Sequence, residues 1–182
     1  MDMNPYCKPL HLNLQVVATP LILEDLKKQY MFYLDFKDVL HSELQDFLKS
    51  KKIYAHHVES FYSPPNFEQP IHVDDTGGDY VKMNFVWGGT GSLMHWYKPT
   101  ESKIIDTTSS LIDTRILQYK QDEVDLMASE CVYSPSLVQT GVPHNITNPH
   151  EHRLCLSLIL CYRRNRSRIT MQEALTLFAE YL

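Results

Sequence analysis

Two histidines and an aspartate are the residues of this 182-residue sequence whose types and spacing best suit a metal ion: His72, Asp74 and His144. His72 and Asp74 are two apart, and on a β-strand such residues point to one face, so both can reach one ion from one strand end. His144 lies in Thr140-Gly-Val-Pro-His-Asn, 72 residues downstream of His72, so only a folded sheet can bring it to the other two. Two imidazoles and one carboxylate on one face of an ion leave the opposite positions open. That is the arrangement of non-haem Fe(II) sites, where co-substrate and O₂ take the open positions. Asp75 competes with Asp74, but adjacent strand residues point to opposite faces and parity favours Asp74. His150 and His152 flank Glu151 in a polar stretch that reads as an exposed loop. His56 and His57 are adjacent on a strand, so at most one faces inward.

Arg153 brings a different chemistry. It follows His144 by nine residues and opens an apolar run ending at Tyr162. Arg153, Cys155 and Ser157 share one face of that strand, and Leu154, Leu156 and Leu158 share the other. A guanidinium facing into a barrel needs an anionic partner, because an unpaired buried charge is costly. Its planar fork matches a carboxylate with two parallel hydrogen bonds, and Ser157 could add a hydroxyl. Asn84 is a polar residue in the mainly apolar segment 80–87. Trp87 and Trp96 bracket a Gly-rich hairpin and read as packing residues; Trp96 and Tyr97 are the candidates for a substrate entrance.

Many short strands must position these groups. Alternation and turn residues predict strands over 11–18, 53–62, 70–74, 80–87, 92–98, 103–106, 114–119, 130–133, 136–140 and 153–162. Gly77-Gly78, Gly88-Gly89, Pro99, Pro135, Gly141 and Pro149 separate them. Helical spacing predicts helices over 21–34 and 40–49, with Ser42 as an alternative cap. A third helix is predicted over 170–181, where Thr170 and Glu173 resemble a capping box. The expected fold is mainly β: a jelly-roll core over 53–162, a helical buttress over 1–52 and a C-terminal helix over 163–182, in one domain.

Composition narrows the function classes. A net charge of −5 argues against a general nucleic-acid binder, and the exception, Arg163, Arg164, Arg166 and Arg168, reads as a solvated turn. None of the four cysteines forms a CxxC pair, which argues against a zinc knuckle. The sequence shows no signal-peptide pattern, and its longest apolar run is too short to span a bilayer, so a cytoplasmic protein without membrane association is the expectation.

Taken in order, Tyr62-Ser-Pro-Pro-Asn, Ile71-His72-Val73-Asp74, Val81-Lys-Met-Asn-Phe-Val-Trp-Gly-Gly, Val142-Pro-His144-Asn-Ile-Thr-Asn and Arg153-Leu-Cys-Leu-Ser157 resemble the Fe(II)- and 2-oxoglutarate-dependent oxygenases, particularly the small prolyl-hydroxylase-like and phage-type members. The resemblance covers roughly residues 53–162 and implies a double-stranded β-helix. It implies that His72, Asp74 and His144 hold Fe(II) and that Arg153, helped by Ser157, binds the distal carboxylate of 2-oxoglutarate. Tyr62, ten residues before His72, and Asn84 would line the co-substrate pocket. The implied reaction consumes O₂ and 2-oxoglutarate, releases succinate and CO₂, and hydroxylates a peptide or protein side chain or a small molecule. A short chain with few insertions suits a peptide or protein loop. The alternative from another class is a cupin-type metal-binding jelly roll, an isomerase or ligand-binding module, which needs neither 2-oxoglutarate nor an inward arginine.

Overall fold

Short β-branched and aromatic runs punctuated by Gly and Pro fold here into strands too short to bury their apolar faces alone. They stack as two layers. The computed structural model describes residues 4–19, 24, 27, 31–74, 79–101, 106–108, 115–132 and 135–182. In chain order the elements are β1 (Cys7–Pro9), β2 (Met31–Leu34), α1 (Phe36–Val39), α2 (Ser42–Ser50), β3 (Ile53–Ser63), β4 (Phe67–Glu68), β5 (Ile71–Val73), β6 (Val81–Gly88), β7 (Leu93–Pro99), β8 (Asp106–Thr108), β9 (Arg115–Tyr119), β10 (Val124–Glu130), β11 (Ser136–Gln139), β12 (His144–Asn148), β13 (Arg153–Tyr162) and α3 (Met171–Leu177).

One antiparallel sheet runs β1-β11-β6-β13-β3-β2, and the other runs β10-β7-β12-β5-β9-β8, with β4 beside β12. Strands β3, β6, β11 and β13 lie in the first layer and β5, β7, β10 and β12 in the second. Among these eight strands the chain crosses between layers at every step except that from β7 to β10, both in the second layer. This is the jelly-roll double wind that the strand spacing predicts.

β13 is the spine. It pairs along its length with β3 and, over Arg153–Ile159, with β6. Its even-numbered residues Leu154, Leu156, Leu158 and Leu160 are buried in one cluster with Leu44 and Leu48 of α2 and with Phe178 just after α3. The helices thus cover the outer face of the first sheet. The inner face, carrying Arg153, Cys155 and Ser157, is left to the space between the layers. Asp79 and Thr170 tie α3 to the start of β6: Met171 N donates to Asp79 O at 2.8 Å, and Thr170 and Glu173 form the capping box read in the sequence.

Several elements depart from expectation. Residues 11–18 form no strand and make one isolated bridge, Val17 to Leu40. Within the segment expected as helix 21–34, Met31–Leu34 is a strand on the edge of β3, so cross-strand pairing overrides the helical spacing; most of the remainder lies outside the described residues. The helix at 42–50 is capped by His41, whose Nδ1 accepts from Glu43 N at 3.3 Å, and not by Ser42. The strand expected at 130–133 falls earlier, at β10, which pairs with β7 through a bulge between Leu126 and Ala128. No helix among the described residues is long and apolar enough to cross a membrane.

Candidate metal centre

The site is built where β5 ends and β12 begins. His144 opens β12 and is the register partner of His72. Asp74 follows β5 directly, and its backbone N–H donates to Thr140 O at 3.3 Å, which fixes the carboxylate beside the two rings. The two imidazoles lie 4.5 Å apart between centroids. His72 Nδ1 lies 2.8 Å from Pro70 O, and His144 Nδ1 lies 2.8 Å from Val142 O. A carbonyl only accepts, so both Nδ1 atoms carry the proton and both Nε2 lone pairs turn inward. Asp74 Oδ1 is 3.1 Å from His72 Nε2, and Asp74 Oδ2 is 3.8 Å from His144 Nε2. One ligand atom from each of the three residues lies within 4.8 Å of the others, so the cluster could hold a metal ion. Burial, with the neighbouring His72 ring, pushes the His144 imidazole down to about 4, so it is neutral at pH 7 and free to act as a ligand.

Lys82 completes the electrostatics. It projects from β6 and is buried with Nζ 2.7 Å from Asp74 Oδ2 and 2.5 Å from Glu59 Oε2. Burial opposes its charge, but the two carboxylates outweigh burial and raise its ammonium above the ordinary lysine range. Burial would push Asp74 up, yet Lys82, helped by His144 and His72, holds its carboxyl well below the usual range. Sequence reasoning missed both Lys82 and Glu59. Strand parity could have found them: Lys82 shares a face with Asn84, and Glu59 shares one with Phe61 and Ser63.

The three candidate ligands open onto a pocket that is also lined by Asn84, Arg153 and Ser157. Ser157 Oγ donates to Asn84 Oδ1 at 2.7 Å, and both are buried. Arg153 is 3% exposed, and its Nε has no hydrogen-bond partner. Gly89 makes room for its stem. A Cβ at Gly89 would stand 2.7–2.9 Å from Cβ, Cγ and Cδ of Arg153, and the backbone there has φ +75°. An orphaned donor on a buried cation, facing a pocket, fits an anionic group from a ligand.

Other expected residues are placed elsewhere. Tyr62 is on the opposite face of β3 from Phe61 and Ser63, which line the pocket; its hydroxyl bonds His152 Nδ1 and its ring stacks on that histidine. Strand parity excludes it. Trp96 is fully buried against Tyr6 and donates Nε1–H to Gln139 O at 3.0 Å. Tyr97 points to the other face of β7, its hydroxyl 3.0 Å from Asn145 Oδ1. Neither lines the pocket; Met94 of the same strand does. His150 and His152 are exposed and stand apart from the ligand cluster. Asp75 lies outside the described residues.

No family model matches the chain, and no curated protein matches it. Among solved structures, the capsular polysaccharide assembling protein CapF from Staphylococcus aureus is similar at 13% identity and TM-score 0.28, over 62% of this chain and 27% of its own. Peruvianin-I, a cysteine peptidase from Thevetia peruviana latex, is similar at 8% identity and TM-score 0.36, over 89% of this chain and 96% of its own. An oxalate oxidase in complex with the substrate analogue glycolate is similar at 12% identity and TM-score 0.31, over 84% of this chain and 56% of its own. The chain thus spans about a quarter of CapF and just over half of the oxidase.

Proposed function

We propose that the protein is an Fe(II)- and 2-oxoglutarate-dependent dioxygenase that hydroxylates a peptide or protein side chain or a small molecule. The observation that carries this reading is Arg153, a buried cation with an unpartnered Nε in the same pocket as a cluster of two histidines and one aspartate. The triad alone suits many divalent-ion sites. The arginine adds a built-in demand for an anion.

His72, Asp74 and His144 would hold the iron, which when bound supplies the activation of O₂. The protein's own contributions follow from the geometry. Pro70 O and Val142 O keep both Nε2 atoms aimed inward. Arg153 would clamp the far carboxylate of 2-oxoglutarate with a bidentate fork, and the Ser157–Asn84 pair would bound the same end of the pocket. Phe61, Met94 and Ile146 give the pocket apolar walls.

The test is a titration of the anaerobic Fe(II) protein with 2-oxoglutarate, followed by the weak visible charge-transfer band and by succinate release with candidate peptides. The band should grow with co-substrate in the native protein. Arg153→Leu should need far more 2-oxoglutarate while binding metal normally. Absence of any band, with His72→Ala behaving like the native chain, would sink the reading. Metal binding that ignores both 2-oxoglutarate and the Arg153→Leu change would support a cupin-type module instead.

A further inference from the structure

A carboxylate–ammonium–carboxylate chain runs from the candidate metal ligand into the first sheet. Asp74 Oδ2 lies 2.7 Å from Lys82 Nζ, and that nitrogen lies 2.5 Å from Glu59 Oε2. The Lys82 and Glu59 side chains are only 4% and 5% exposed, so water screens neither charge. Their strands fix the arrangement: Ser157 of β13 is the register partner of Glu59 on β3 and of Asn84 on β6, and Ile159 is that of Lys82. A buried lysine one hydrogen bond from a metal-binding carboxylate is costly as a stability device, because a well-packed apolar residue of similar volume usually serves as well. It also works against cation binding, since it occupies one carboxylate oxygen and repels a divalent ion. Glu59 offsets that repulsion from the far side.

We propose that Glu59 and Lys82 are positioning residues that set the affinity of the site for its ion. Lys82 ties down Asp74 Oδ2 and leaves Oδ1 as the single donor, while Glu59 draws the ammonium back and restores the negative charge the ion needs. Asp74 is thereby held as a one-oxygen ligand, which keeps a coordination position open. This inference rests on the metal-site reading above. It makes a prediction that a merely structural pair does not: the two single substitutions move metal affinity in opposite directions. Glu59→Gln leaves the full ammonium charge on Asp74 and weakens binding. Lys82→Met leaves the ion as the sole cation facing two buried carboxylates and tightens it.

The experiment is calorimetric titration of the metal-free protein and both variants with Co(II), alongside the Co(II) visible spectrum and thermal unfolding with and without the ion. Glu59→Gln should bind Co(II) more weakly by about tenfold or more, the scale at which partners of a ligand act on metal affinity. Lys82→Met should bind more tightly than the native chain, gain more thermal stability from the ion, and show an altered visible spectrum as Asp74 engages both oxygens. Lys82→Arg, which keeps the charge and the hydrogen bond, should return the spectrum towards native. If one single variant does not fold, the double variant Glu59→Gln/Lys82→Met, which removes one charge of each sign and leaves the net charge of the site unchanged, must still bind at least as tightly as the native chain. Weakened binding in Lys82→Met or in the double variant, or unchanged binding in Glu59→Gln, overturns the inference while leaving the metal site standing. A native protein that binds no Co(II) overturns both.

Discussion

His72 and His144 are register partners across β5 and β12, and each gives its Nδ1–H to the carbonyl oxygen two residues before it, Pro70 and Val142. Each ring is therefore aimed by its own strand's entry and not by a distant side chain. The pair is as rigid as the ladder that joins it, and the third group, Asp74, depends on a side-chain partner, Lys82. Substitutions at the third group should accordingly be the least forgiving.

Asp74→Asn should abolish metal binding although it preserves shape. An ammonium can only donate, so Lys82 will take the amide oxygen and turn the amide NH₂ towards the histidines, where it cannot act as a ligand. Titration with Co(II) measures the loss. Retained binding would mean that Asp74 is not a ligand.

The metal-free protein should lose stability as the pH falls from about 6.5 towards 4. Burial holds His144 down at about 4 against an ordinary 6.5, so in this window the unfolded chain binds a proton that the folded chain refuses. Stability therefore rises with pH across the window, by roughly 3 kcal/mol at most for a shift of this size. Asp74, held below the carboxylate range, contributes above its ordinary value and loses its contribution only at still lower pH. Urea midpoints in EDTA between pH 4 and 7 test this, and His144→Gln should flatten the slope.

Gly89→Ala should weaken 2-oxoglutarate binding more than metal binding. The new methyl would press on the Arg153 stem at 2.7–2.9 Å and would sit at φ +75°. The backbone cost is about 1–3 kcal/mol, and the displaced guanidinium costs co-substrate affinity. Parallel titrations with Co(II) and 2-oxoglutarate separate the two effects. Equal losses would indicate general damage.

Asn148→Ala should destabilise the fold by about 1–3 kcal/mol. Asn148 is buried, and its Nδ2 lies 3.0, 2.9 and 2.6 Å from the carbonyls of Ser63, Pro64 and Glu151. It ties the end of β3 to the turn that launches Arg153. Chemical denaturation measures the cost, and an unchanged midpoint would show that water replaces the amide freely.

The β wind was legible because each strand carries its own period-two pattern and its own turn residues. β3, β6 and β13 fall within a residue or two of their expected ends. The 31–34 strand was not, since its Tyr and Leu spacing suits a helix and only β3 makes it extended. β12 was also hidden: Thr147 and Asn148 look like loop residues, but Asn148 is buried as a backbone tether. Within the site, residue type and parity pointed to the three candidate ligands and to Arg153. Parity argues against Tyr62 as a pocket residue, because β3 turns Phe61 and Ser63 inward instead. Lys82 was missed because its two carboxylate partners, Asp74 and Glu59, stand beside it only once the strands are folded.

β13 carries two independent texts on one line. Positions 154, 156, 158 and 160 speak to the apolar core beneath the helices and decide whether the chain folds. Positions 153, 155 and 157 speak only to the pocket and decide what enters it. A lineage could therefore exchange its ligand through the odd positions without renegotiating its core. Inserting or deleting one residue within β13 would swap the two texts and ruin both, so change here can proceed by substitution but not by a shift in length.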